Sequence, residues 1–238
     1  MNLSHVERYF ADILSAIESG QEIALHSAAE SLKASEDDTL LVPPKLCLPD
    51  NLFIVGTVNV DETTYMFSPK VLDRANVIEF RATADDIAAF LGSPSKVDMD
   101  ALEGKGAAFG PAFVAEASTS AQLDGTTAAD LKARLTEIFG ELAPIGAEFC
   151  FRTALEIARF THFHAKLTGD TWQFKDALDA QVLQKLMPKL HGSERKLGPV
   201  LEALDAFCEK HGCETSRIKI ERMQRRLKTD GFTSFAEA

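Results

Sequence analysis

The sequence feature that most constrains the fold is the apolar run LFIVGTV at residues 52–58. This run is rich in β-branched and aromatic residues, and it follows a turn signal made by Pro49, Asp50 and Asn51. A nearly continuous apolar run of this length is typical of a strand that is buried on both faces of a parallel sheet. The run therefore predicts an α/β arrangement for the part of the chain around it.

The segments on either side of this run alternate between helical and strand patterns. Apolar residues recur at helical spacing over residues 6–17, Gly20 is a stop signal, and a short strand is expected at 22–26. Thr83 is a candidate N-terminal cap for a later helix. The elements predicted after residue 58 are a short helix at 69–73, a strand at 76–80 and a helix at 84–91. This alternation again favours an α/β fold.

The composition changes at residues 92–125, where Gly, Ala, Ser and Asp dominate and periodicity is weak. From Thr127 onward the spacing of apolar residues is helical, which predicts an all-helical bundle. We therefore expect a partial α/β subdomain at 1–91, an insertion or linker at 92–126 and a helical subdomain at 127–238. The helices predicted in the last part are 128–142, 149–167, 174–187, 195–210 and 216–228.

Composition and charge exclude several classes of protein. A chain of 238 residues with 45% hydrophobic residues is long and apolar enough to bury a sizeable core. A net charge of -11 argues against binding nucleic acid over the whole surface. No apolar run approaches the ~20 residues needed to cross a bilayer, and no signal peptide is recognisable. The four cysteines form no CxxC pair, so we expect free thiols and a cytoplasmic protein.

No metal site is predicted. Cys208, His211 and Cys213 lie close in sequence, but their spacing is not that of a zinc finger. His162 and His164 are two residues apart on a predicted helix and face different directions, so no catalytic pair is expected.

A local basic patch contrasts with the acidic composition of the chain. It includes Arg222, Arg225 and Arg226 in the last predicted helix. Two interpretations stay open at this point: a solvated helix face, or a contact with another subunit or with nucleic acid.

Residues 48–80, LPDNLFIVGTVNVDETTYMFSPKVLDRANVIEF, resemble the sensor 1 to arginine-finger region of McrB-like AAA+ NTPases, the GTPase subunits of modified-DNA restriction systems. The resemblance assigns Asn59 to sensor 1, beside the nucleotide phosphates. An amide in this position orients the attacking water without carrying a charge. The other interpretation makes Asn59 a turn residue before Asp61.

The same resemblance assigns Arg74 to the arginine finger, which acts in trans on the nucleotide of a neighbouring subunit. A guanidinium stays ionised and meets phosphate oxygens with a rigid fork of donors. The other interpretation is an ordinary salt bridge with Asp73 or Glu79.

Residues 149–160, FCFRTALEIARF, resemble the helix that carries sensor 2 in this family, and they assign Arg152 to the terminal phosphates. Arg159 lies on nearly the same helical face and is either a second contact or solvated. The beginning of the chain, with Met1, resembles the segment that directly follows the Walker B carboxylates. The glycine-rich loop GxxxxGK[ST] is not found.

The resemblance therefore implies the C-terminal portion of a McrB-like AAA+ NTPase that lacks Walker A and Walker B. Its expected fold is an α/β remnant with parallel strands, followed by an all-helical lid. It implies Mg²⁺ with ATP or GTP once the missing segment completes the site, a homo- or hetero-oligomeric ring, a nuclease partner, indirect contact with DNA and no contact with membranes. The alternative is a truncated, non-hydrolysing module that joins or caps a related ring.

Overall fold

The computed structural model describes residues 9–35, 39–49, 51–58, 67–94, 96 and 98–238. This part of the chain is mainly helical, and none of its helices is long and apolar enough to cross a membrane. Its α-helices are α1 Ala11–Ser19, α2 Pro69–Leu72, α3 Ala84–Gly92, α4 Gly110–Ala117, α5 Gly125–Leu142, α6 Phe151–Thr168, α7 Phe174–Gln181, α8 Glu194–His211 and α9 Glu214–Asp230.

The strands are short and form antiparallel pairs. They are β1 Ile23–Ala24, β2 Leu32–Lys33, β3 Leu41–Val42, β4 Lys45–Leu46, β5 His191–Ser193 and β6 Phe232–Ser234. Strand β1 pairs with β4, β2 with β3, and β5 with β6, and no parallel pair occurs among the described residues. The β5–β6 pair lies within the part that the sequence predicts to be all-helical.

The fold class predicted from the sequence, an α/β AAA+ remnant with a parallel sheet, is therefore wrong. Residues 52–58 form no strand, and Val55 and Phe53 are 92% and 50% exposed. A parallel strand has to be hydrogen-bonded along its edges and covered on both faces. No strand among the described residues pairs with this run, and the Phe53 ring instead lies 4.8 Å from the Phe113 ring between centroids.

The strand predicted at residues 76–80 is also missing. In place of a sheet ladder, the Val77 amide donates a hydrogen bond of 2.9 Å to the carbonyl oxygen of Gln184. Gln184 belongs to a single π-helical turn, Val182–Leu186, that follows α7. The segment is therefore held against the helical half of the molecule.

Local signals define the helix ends in the first half. Helix α1 ends at Gly20, whose φ of 64° is in the left-handed region that glycine adopts without strain. Thr83 caps α3: its hydroxyl accepts from the Asp86 amide at 3.1 Å, and the Asp86 carboxylate accepts from the Thr83 amide at 2.8 Å.

The expected insertion contains two 3₁₀ turns, at Asp100–Leu102 and Ala107–Phe109, and then α4. Its role as a boundary between subdomains stays a prediction.

The hydrophobic core lies in helices α5 to α9. Leu131, Leu135, Ile138 and Leu142 line one face of α5 at helical spacing and are all buried. They pack in one cluster with the buried faces of the other helices, which include Ile157, Leu178, Leu201, Leu204, Met223 and Leu227. Burying each such side chain contributes about 1.5–3 kcal/mol, so this cluster is the main source of stability.

The buried carboxylate of Asp179, on α7, caps helix α9 from outside it. Its two oxygens accept hydrogen bonds of 2.8 Å from the amides of Thr215 and Ser216, and one also accepts from the Ser216 hydroxyl at 2.6 Å. The residue before α9, Cys213, provides no side-chain cap. Asp179 therefore satisfies the free amides at the start of this helix.

Candidate functional site

Two of the arginines singled out by the sequence lie at one place. Arg74 follows α2, Arg152 lies in the first turn of α6, and Glu18 lies near the end of α1. Arg74 Nη2 binds Glu18 Oε2, and Arg152 Nη2 binds Glu18 Oε1. A single carboxylate therefore bridges two guanidinium groups that come from distant parts of the sequence.

Among the described residues, two guanidinium groups meet one carboxylate here, so their combined charge is positive. The side chains of Arg74, Arg152 and Glu18 are 21%, 32% and 40% exposed, so solvent reaches all three of them. The pKa of Arg74 is lowered by burial and by the nearby charge of Arg152, and Glu156 opposes this shift. An arginine with a lowered pKa still carries its proton at neutral pH. Two like charges held close together favour the binding of an anion between them.

Lys185 anchors the chain on both sides of Arg74. Its ammonium is fully buried and donates to the carbonyl oxygens of Asp73 at 3.0 Å and Ala75 at 3.1 Å. It also forms an ion pair with Glu156 on α6. The neighbouring Lys189 pairs with the Asp73 carboxylate.

The ion pairs of the described residues at this place join four cations to three carboxylates. The cations are Arg74, Arg152, Lys185 and Lys189, and the carboxylates are Glu18, Asp73 and Glu156. The cluster therefore carries one positive charge in excess. We call this set of seven residues the arginine cluster.

Only some of the other sequence-predicted site residues lie in the described part of the chain. Asn59 and its neighbours Asp61 and Glu62 lie outside the described residues. Arg159 donates to the carbonyl oxygen of Ala117, and its guanidinium carbon lies 5.5 Å from the centroid of the Phe163 ring. No described contact pairs Arg74 with Glu79; among the described residues, Arg74 pairs with the carboxylate of Glu18.

The basic patch on α9 largely faces acidic groups of its own chain. Arg222 Nη2 lies 3.6 Å from Glu79 Oε2, and Arg226 Nε lies 3.3 Å from Asp230 Oδ2. Arg225 is exposed. These pairs favour a solvated, structural face, and a contact with another macromolecule stays a prediction.

Four residues of the arginine cluster were not identified from the sequence: Glu18, Glu156, Lys185 and Lys189. Glu156 follows Arg152 by four residues, a spacing that places both on one helix face. Lys185 follows the buried residues Leu178 and Val182 at helical spacing, so a charged residue on an apolar face was the available signal. Glu18 had no signal, because its partners are distant in sequence.

A second buried lysine, Lys219, contacts the segment around Glu79. Its ammonium lies 2.9 Å from Glu79 Oε1 and 2.6 Å from the main-chain oxygen of Ala238. Burial lowers the pKa of Lys219, and the hydrogen bond with Glu79 opposes the shift. Burial alone would raise the pKa of Glu79, but hydrogen bonds from Arg81 and Lys219 outweigh it and lower that pKa.

The described residues contain no group of three or more His, Cys, Asp or Glu side chains that could hold a metal ion. Cys208 and Cys213 are buried thiols, and the pKa of Cys208 is raised by a hydrogen bond with Cys213 and by burial. A raised pKa disfavours the thiolate, which is the form that binds metals or attacks substrates. The arginine cluster is therefore the best candidate site in the described part of the chain.

Comparison with known families adds one match. Residues 107–232 match a family described as a domain of unknown function (DUF8727), which covers more than half of the 238 residues. This range contains Arg152, Glu156 and Lys185 but not Glu18 or Arg74. No curated protein and no solved structure matches the chain.

Proposed function

We propose that this chain, which belongs to the DUF8727 family, is a phosphate-contacting part of a McrB-like P-loop NTPase. In this proposal Arg74 and Arg152 contact the terminal phosphates of ATP or GTP. The observation that carries the proposal is the convergence of both arginines on the carboxylate of Glu18. The resemblance to the family selected each arginine from a separate motif, without reference to the other.

The chemistry of the arginine pair suits a phosphoryl group. Each guanidinium offers a planar fork of donors, and a terminal phosphate offers more charge and more acceptor oxygens than a carboxylate. At about 4 Å and an effective dielectric constant near 20, a single pair of opposite charges gains about 4 kcal/mol before solvation costs. Because these side chains are partly exposed, the net contribution of Glu18 is on the order of 1 kcal/mol or less. An incoming oligophosphate therefore displaces Glu18 at small cost.

The chain has no glycine-rich loop of the form GxxxxGK[ST]. The proposal therefore assigns the phosphate-cradling amides and the ligands of Mg²⁺ to a separate segment or subunit. Arg74 and Arg152 then act in trans, on a nucleotide that this partner holds against the arginine cluster. The chain alone is not expected to hydrolyse nucleotides.

The proposal places the chain in the cytoplasm, in a homo- or hetero-oligomeric AAA+ ring. A nuclease subunit would couple such a ring to the restriction of modified DNA, and the chain would contact DNA only through this assembly. The ring, the nuclease subunit and the contact with DNA derive from the sequence resemblance of residues 48–80 and 149–160, and the cytoplasmic location derives from the cysteine pattern.

A second candidate function is a non-hydrolysing module that joins or caps a related ring and regulates it. The observation that favours it is the contact of both arginines with Glu18 of their own chain. In this state both arginines are engaged by a carboxylate of their own chain. Such a module would lower the activity of a ring that it joins.

A complementation assay separates the two candidates. The chain is added to a complete McrB-like NTPase whose own finger arginine is replaced by alanine, and phosphate release from GTP and ATP is measured. The first candidate predicts that the chain restores hydrolysis, and that Arg74→Ala and Arg152→Ala lower the restored rate by about 10³-fold or more. Arg195→Ala, which removes an exposed arginine on α8, is the matched control and should leave the restored rate unchanged.

The same assay with the unmodified NTPase ring tests the regulatory candidate. A fall in its hydrolysis rate, with nucleotide binding retained, supports the regulatory candidate. No change in either ring, from a folded chain, contradicts both candidates.

A further inference from the structure

Lys185 is the most deeply buried charge of the arginine cluster, with a fully buried side chain. Its ammonium has three hydrogens and meets three acceptors: the carbonyl oxygens of Asp73 and Ala75 and the carboxylate of Glu156. A buried ammonium is costly unless it is fully hydrogen-bonded in this way. Its place in the fold is therefore determined by these three contacts.

These contacts fix the main chain of Arg74 from both sides. The two carbonyl groups belong to the residues directly before and after Arg74, so the backbone that carries the guanidinium has little freedom. The amide of Val77 is held by the carbonyl oxygen of Gln184, the residue before Lys185. Through Gln184 and Lys185, the π-helical turn Val182–Leu186 therefore hydrogen-bonds to the Arg74 segment at three points.

The third contact of Lys185 reaches the helix of the other arginine. Glu156 lies one turn after Arg152 on α6, and it binds the Lys185 ammonium. One ammonium thus connects the backbone around Arg74 to the helix that carries Arg152. The distance between the two guanidinium groups depends on this connection, because the described segment around Arg74 has no sheet to hold it.

We propose that Lys185 is a positioning residue, which sets Arg74 relative to Arg152 so that both guanidinium groups bind one phosphoryl anion. This inference rests on the proposed function of the arginine pair. Lys185 does not touch the anion, and its effect is transmitted through the carbonyl groups of Asp73 and Ala75. Lys219 provides a matched comparison, because it is equally buried and also binds a carboxylate and a main-chain oxygen, but lies outside the arginine cluster.

The test measures how inorganic pyrophosphate binds to the full chain by isothermal titration. Arg74→Ala and Arg152→Ala are each expected to weaken binding by about tenfold or more, as expected for loss of one charged hydrogen bond. Lys185→Met is expected to weaken it as much as Arg74→Ala does. Adding Arg74→Ala to Lys185→Met should then have little further effect, whereas adding Arg152→Ala should still weaken binding.

Lys219→Met is the control for the loss of a buried lysine. It is expected to lower thermal stability and leave the pyrophosphate affinity of the folded chain unchanged. If Lys185→Met does not fold, Lys185→Arg replaces it, since this variant keeps the charge in a planar head that cannot direct three hydrogens at the same three acceptors. An intermediate affinity and a reduced effect of Arg74→Ala are then expected.

The possible failures are distinguishable. If Arg74→Ala in each folded Lys185 variant weakens binding as much as in the wild-type chain, the positioning role is overturned and the phosphate site stands. An equal loss of affinity in Lys219→Met also overturns it, since the effect would then be one of general stability. If neither arginine affects pyrophosphate binding in the wild-type background, the proposed function and the positioning role are both overturned.

Discussion

Different forces stabilise the two parts of the molecule, the residues before 127 and the helical half at residues 127–238. In helices α5 to α9 a continuous apolar cluster is buried, with Ile157, Leu201 and Ile220 fully inaccessible. Among the described residues before 127, Ala16 is the only one that is buried. That first part contacts the helical half through Lys185 and Lys219, which bind Asp73, Ala75 and Glu79. Among its apolar residues, Val77 and Leu123 pack against the core cluster.

This difference determines what each half is suited for. Apolar packing over many contacts gives a helical half with a single, well-defined arrangement. Attachment by a few charged contacts is weaker and depends on pH and salt. The arginine cluster lies where these two kinds of structure meet, so one arginine is on a rigid helix and the other on a segment held by lysines.

The largest contrast is expected from matched deletions of apolar side chains. Ile157→Ala, which empties space in the core, should lower the free energy of unfolding by about 2–5 kcal/mol. Val55→Ala, at a position that is 92% exposed, should change it by less than about 0.5 kcal/mol. Urea unfolding followed by circular dichroism measures both values. Equal losses would mean that residues 52–58 belong to a packed core, contrary to this account.

The Asp179 cap gives the next largest effect. Asp179→Ala leaves the amides of Thr215 and Ser216 without their acceptor at a buried helix end. The expected loss in the free energy of unfolding is about 1–3 kcal/mol. Asp176→Ala removes a carboxylate from the same helix, α7, and is the control, with an expected change below about 0.5 kcal/mol. An equal loss of stability in both variants would contradict the role of Asp179 as the cap of α9.

A smaller effect is expected from acid. The pKa of Glu79 is lowered in the folded chain, so its contribution to stability is present above the ordinary glutamate value of about 4.3 and is lost as the pH falls through the lowered pKa. Limited proteolysis between pH 6 and pH 3 should therefore show earlier cleavage near residues 76–81 than in α5 to α9. Glu79→Gln should make that cleavage less dependent on pH, and an unchanged pH profile would contradict the assignment.

How far the sequence predicts the structure depends on the range of the interactions involved. The end of α1 at Gly20 and the start of α3 at Thr83 depend on neighbours within a few residues, and both are predicted correctly. A strand at residues 52–58 depends on partners elsewhere in the chain, which periodicity cannot reveal. The run 174–187 was predicted as one helix, but it consists of α7, a π-helical turn and a 3₁₀ turn.

In the candidate site, too, the sequence predicts what depends on neighbouring residues and misses contacts between distant ones. Arg74 and Arg152 were selected from local motifs, and their meeting on Glu18 could not be predicted from either motif. Lys185 lies on an apolar helical face, but its acceptors are the main-chain oxygens of residues more than a hundred positions away. Spacing within one helix contains no information about such contacts.

If Arg74 and Arg152 form a phosphate site that the Glu18 carboxylate occupies, removing the charge of Glu18 should strengthen phosphate binding. The most direct test is to titrate inorganic pyrophosphate into Glu18→Gln. The control is Glu22→Gln, which removes an equal charge four residues further along the chain. The carboxylate of Glu22 pairs with Lys45 at 3.1 Å. Glu18→Gln is expected to bind pyrophosphate about two- to fivefold more tightly than the wild-type chain, and Glu22→Gln is expected to bind it as the wild-type chain does. Equal affinities in all three chains, or weaker binding in Glu18→Gln, would contradict the claim.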